Sequence, residues 1–112
     1  MKEGDLHSFF LIALALGVPI VCGSDAGGFP NGENVREIEL MTELGMSTLY
    51  ALQSATSLAG EVIQGTTTPT IGVINPGAFA DIIAVEGNPL QSIYNLRNLR
   101  FIMKDGAIYL HE

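Results

Sequence analysis

The hydrophobic pattern of this 112-residue chain changes character once, at Gly65 and Thr66, and that change limits the folds open to it. Before it, apolar residues recur at helical spacing around one short apolar run. After it, they come in runs of four to six set off by turn residues. The pattern predicts an α/β segment over residues 1–65 and a β segment over 66–112, with no internal repeat.

Within the first segment, residues 6–16 are apolar on nearly every side, which predicts a helix packed on more than one face and ended by Gly17. Residues 18–22 then read as a short buried strand, with Pro19 near its start, where a missing N–H is best tolerated. The loop over 23–32 holds Gly23, Gly27, Gly28, Pro30 and Gly32, too many for regular structure. Residues 33–44 place Val35, Ile38, Met41 and Leu44 at three-residue steps, with Glu33, Glu37, Glu39 and Glu43 read as a solvated face. Gly45 ends this helix. Ser47 is the expected N-cap of a helix over 48–58, and a further half-turn runs over 61–64.

In the second segment, strands are expected at 71–74, 80–85, 99–103 and 107–110. Between them stand Asn75-Pro76-Gly77, Gly87-Asn88-Pro89 and Asp105-Gly106. Asp-Gly accepts the two positive φ angles of a type I′ turn, so residues 104–107 predict a hairpin.

Composition narrows the function. Twelve acidic residues against five basic ones give a net charge of −7, which repels a phosphate backbone and argues against nucleic acid as a partner. The single Cys22 permits no internal disulfide and no cysteine-rich zinc site, and points to a reducing compartment such as the cytoplasm. The apolar stretch 9–22 is shorter than the roughly 18 residues of a spanning helix and contains Gly17 and Pro19, so no membrane partner is expected. Apolar residues make up 47% of the chain and mean hydropathy is +0.34, high enough that part of this surface needs cover from elsewhere.

The run over 18–22 delivers one carboxylate, Asp25, into the glycine-rich loop. α/β enzymes present catalytic groups in this way, because the strand is rigid and the loop beyond it is free to vary. On composition alone, an Asp in such a loop is as readily a turn former that bonds nearby N–H groups. Ser24 lacks a His and carboxylate arrangement for a triad, and Cys22 sits where burial suppresses its reactivity. Asp81 reads as a structural group bonding turn N–H groups.

Several motifs taken together settle more than any one of them. Gly17-Val18-Pro19-Ile20 leads to Gly23-Ser24-Asp25-Ala26-Gly27, followed by Asn34-x-x-Glu37, Glu43-Leu44-Gly45-Met46-Ser47 and Ala51-Leu52-Gln53-Ser54-Ala55-Thr56. Then come Ile71-Gly72-Val73-Ile74-Asn75-Pro76-Gly77-Ala78-Phe79-Ala80-Asp81 and Gly87-Asn88-Pro89-Leu90. In order and spacing the chain resembles the C-terminal portion of amidohydrolase-superfamily enzymes, of the branch containing imidazolonepropionase-like proteins and metal-dependent Xaa-Pro dipeptidases.

The resemblance implies the C-terminal part of a (β/α)₈ TIM barrel, namely the last helix, strand 8 and the following helices, plus part of a small β-sandwich. It implies a metal-dependent hydrolase of C–N bonds in peptides or cyclic amides, with zinc as the metal in the full-length enzyme. Asp25 corresponds to the aspartate that closes the eighth strand, binds the metal and accepts a proton from the attacking water. A divalent metal lowers the pKa of its water from about 16 to about 7, so a nearby carboxylate can take that proton. Asn31 stands where relatives often carry His; it can hydrogen-bond a substrate carboxylate or carbonyl but does not titrate near neutral pH. Tyr50 replaces an acidic residue common in the first turn of the following helix, removing a capping-box partner for Ser47.

The other ligands of the family, a His-x-His pair, a carboxylated lysine and two further histidines, have no counterpart here. His7 and His111 match none of those positions. A catalytic zinc normally needs three protein ligands, so the isolated chain is expected to be inactive and to hold no metal stably. Two readings follow: a C-terminal fragment of a metal-dependent amidohydrolase acting on a small peptide or amide, or a non-enzymatic remnant that oligomerises or completes another chain's barrel.

Overall fold

A computed structural model describes residues 3–23 and 34–112, with side chains from His7 onward in the first stretch. Its elements in chain order are α1 (Glu3–Ala15), α2 (Val35–Glu43), α3 (Thr48–Ala55), α4 (Ser57–Gln64), β1 (Ile82–Val85), a 3₁₀ helix (Ile93–Arg97), β2 (Leu99–Lys104) and β3 (Ala107–His111).

The helices begin and end for local reasons. The Ser47 hydroxyl accepts the Tyr50 N–H at 3.1 Å and caps α3 as expected. Gly65, in the left-handed region at φ 67°, ends α4, and its N–H returns to Glu61 C=O. The helix expected over 48–58 is broken at Thr56 (φ −127°, ψ −96°), whose hydroxyl turns back to Leu52 C=O at 2.6 Å.

That break is shaped by the chain that returns over it. A Cβ on Gly60 would lie 2.3 Å from Ile71 C=O, and one on Gly72 (φ +74°) would lie 2.2 Å from Thr56 C=O. Residues 71 and 72 therefore run backbone against backbone over the start of α4. The strand expected at 71–74 is instead a series of bends over 71–73, because this packing sets its course.

The three strands form one antiparallel sheet in the order β1-β2-β3. Ile82 pairs with Met103 and Ile83 with Ile102, while Phe101 pairs with His111 and Lys104 with Ala107. Asp105 (φ 48°) and Gly106 (φ 79°) make the expected turn between β2 and β3. The core lies among the helices, where Met41, Met46, Ala51 and Ile93 are buried and Phe10, Leu14, Ile38, Leu52 and Leu96 pack around them. The 3₁₀ helix supplies Ile93 to that core.

Candidate functional site

Asp25 and Asn31 both lie outside the described residues. The structure describes the residues on either side of the stretch 24–33 that carries them. On the entry side, residues 18–22 were expected as a strand and are not paired with one. They are held by α3 instead. The Tyr50 hydroxyl accepts Ile20 N–H at 2.8 Å and lies 3.4 Å from Val18 C=O, and Cys22 N–H donates to Ser54 C=O at 2.9 Å. Ala51 and Ser54 are wholly buried, small enough to let a backbone approach the helix, and the Ser54 hydroxyl is satisfied by Ala51 C=O at 2.7 Å. On the exit side, Asn34 opens α2 and its carbonyl accepts Glu37 N–H.

Cys22 is half-buried, and burial together with the nearby Glu37 charge raises its thiol pKa. That agrees with an unactivated thiol, since a nucleophilic cysteine needs the opposite shift. Cys22 also lines an apolar groove of about 630 Å³ between α2, α3 and the sheet, whose walls include Ile38, Leu52, Ile83, Val85 and Leu99.

The reading of Glu39 as a solvated residue is corrected by the structure. It is 1% exposed. Arg97 grips its carboxylate with Nε to Oε2 at 2.6 Å and a second N–H to Oε1 at 3.0 Å, and Arg36 adds a contact at 3.0 Å. The Arg97 hydrogen bonds, followed by those from Arg36, hold the Glu39 carboxyl below its ordinary value against the opposing effect of burial. This grip ties α2 to the 3₁₀ helix 58 residues away. A sequence signal existed: Glu39 falls in the set Val35, Ile38, Glu39, Thr42, the i, i+3, i+4, i+7 face of the helix.

Asp81 does what its sequence setting implied. Its carboxylate accepts Asp105 N–H at 2.8 Å and Lys104 Nζ at 3.1 Å, clamping the hairpin turn, and these contacts lower its pKa. His7 lies on α1, and His111 lies on β3 with its ring edge-on to Phe101 at 5.7 Å. Among the described residues no three His, Cys, Asp or Glu side chains are grouped to hold a metal. No described helix is long and apolar enough to cross a membrane.

The described residues form a small mixed α/β unit, a class that comparison with known proteins makes definite. The sequence profile of the Amidohydrolase family matches residues 10–110, and the chain belongs to that family. Ochratoxinase of Aspergillus niger is 37% identical over 82 residues, which are 72% of this chain and 16% of that protein. The crystal structure of a Xaa-Pro dipeptidase with bound methionine in its active site superposes with a TM-score of 0.84 at 38% identity, over 93% of this chain and 25% of that one. The A. niger ochratoxinase structure gives 0.79 at 29% identity over 94% and 24%. The chain thus spans about a quarter of these solved relatives and a sixth of the curated one.

Proposed function

We propose that this chain is the C-terminal portion of a metal-dependent amidohydrolase that cleaves C–N bonds in peptides or cyclic amides. In this reading it supplies the last helix, strand 8 and the following helices of a (β/α)₈ barrel, with part of a small β-sandwich. The observation that carries the reading is the likeness to the Xaa-Pro dipeptidase at 38% identity over nearly the whole chain, while the remaining three quarters of that protein have no counterpart here.

Asp25 is then the residue that accepts a proton from the attacking water and a ligand of the metal, taken as zinc. Asn31 meets a carboxylate or carbonyl of the substrate through its amide. The described residues alone do not fit a metal, because their His, Cys, Asp and Glu side chains are dispersed. The other ligands belong, in this reading, to the missing barrel portion, and the assembled enzyme works in the cytoplasm.

The test is metal analysis and dipeptide hydrolysis on the purified chain. We expect no stoichiometric zinc and no turnover of a Xaa-Pro dipeptide. Stoichiometric zinc with turnover would contradict the requirement for a further portion.

One observation favours a second reading, an association module without its own chemistry. Ile12, Leu16, Val62, Ile63, Ile74 and Tyr109 are each more than half exposed, and such apolar surface marks contact with another chain. The two readings share a missing partner and differ in whether catalysis follows when it is supplied.

A further inference from the structure

The segment before the Asp25 loop meets α3 through alternate residues. Val18 C=O, Ile20 N–H and Cys22 N–H all turn toward the helix, the first two to the Tyr50 hydroxyl and the third to Ser54 C=O. A period of two is that of an extended strand, whose odd and even residues direct their backbone groups to opposite edges. In a closed barrel each strand is paired on both edges. In this chain one edge is already occupied, by a phenol and a helix carbonyl.

We infer that Tyr50 is a positioning residue that takes the place of a neighbouring strand along this edge. A phenolic hydroxyl both accepts and donates, so it can serve Ile20 N–H and Val18 C=O together, as the peptide groups of an adjacent strand would. Its ring packs against the helical core, which fixes the hydroxyl without a flexible stem. The backbone is thereby held at residues 18–20, in the segment that leads in sequence to Asp25. The opposite edge, where among the described residues Val21 N–H and C=O have no partner, is where a strand of the missing barrel portion adds. A strand arriving on the Tyr50 side must displace the hydroxyl. The assignment of Val21's edge rests on the barrel reading; the clamp by Tyr50 does not.

Amide hydrogen exchange on the intact chain tests the clamp with two substitutions. Tyr50→Phe keeps the ring and removes the hydroxyl. Tyr50→Glu also removes it, but places a carboxylate three residues after the Ser47 cap, where it can close a capping box and support α3. We expect Ile20 to exchange about tenfold faster in both variants, with amides of α3, α4 and β2 unchanged in Tyr50→Phe, which keeps the packed ring. Unchanged exchange at Ile20 in both variants would overturn the inference. So would an equal acceleration at Ile20, α3 and β2, which is a general loss of stability. Since the readout needs no activity, an Ile20 response in a chain that fails to complement a barrel would count against the barrel reading alone.

Discussion

At Glu39 a carboxylate is withdrawn from water and survives because two guanidinium groups replace its hydration. Removing one partner of such a group usually costs about 3–5 kcal/mol, but Arg97 and Arg36 are each more than a third exposed and can recover solvent. Glu39→Gln is therefore expected to destabilise the chain by roughly 2 kcal/mol, read by denaturant unfolding. The pH dependence follows from the direction of its shift. A carboxyl lowered in the folded state contributes stability above its ordinary value of 4.5 and loses it as pH falls through the lowered folded value. Thermal melts from pH 6 downward should fall more steeply below about pH 4.5 for the parent chain than for Glu39→Gln; parallel curves would show that this pair is not the source. Residue roles were legible where partners are set by local chain geometry or a turn motif. The Ser47 cap needs only its own helix, and Asp81 is matched to a recognisable Asp-Gly turn. Glu39 was misread because the partner that buries it, Arg97, is supplied by a 3₁₀ helix with no strong pattern of its own. Asp25 and Asn31, whose roles come from the resemblance, lie outside the described residues.

Elements show the same division between local and tertiary causes. The β2–β3 hairpin follows from Asp105-Gly106, whose backbone preferences act on neighbouring residues alone, and it forms with the expected turn. The run over 71–74 has the composition of a strand but is pressed against the backbone of α3 and α4, and it forms bends. The apolar run at 18–22 likewise has strand composition without a ladder, and the groups that hold it come from Tyr50 and Ser54. Gly60 makes the tertiary cause measurable. In an isolated helix, Gly60→Ala would stabilise by about 1 kcal/mol. Here the added methyl would lie 2.3 Å from Ile71 C=O, a backbone atom that cannot rotate aside. The substitution is expected to destabilise by roughly 2 kcal/mol, the usual scale of overpacking. A stabilised chain in urea unfolding would show that residues 69–72 do not pack on α4 as described.

The whole molecule exposes 7460 Å², where a compact domain of 11.9 kDa exposes roughly 5,900 Å². Its radius of gyration is 14.9 Å, against roughly 13 Å for a compact domain of this length. Both excesses agree with the apolar side chains left uncovered on α1, α4 and β3, and with a sheet whose outer strands, β1 and β3, each have an edge with no strand partner among the described residues. The isolated chain should accordingly self-associate, and a cooperatively melting monomer in light scattering would speak against uncovered faces. On the proposed function, the cover is the rest of an amidohydrolase barrel and Asp25 completes its chemistry. The most direct measurement is to co-express this chain with the Xaa-Pro dipeptidase relative shortened by the quarter that this chain matches, and to assay dipeptide hydrolysis by the purified complex. A one-to-one complex is expected, with activity that Asp25→Asn abolishes while the complex persists. A complex that is inactive with Asp25 intact, or equally active with Asn in its place, would contradict it.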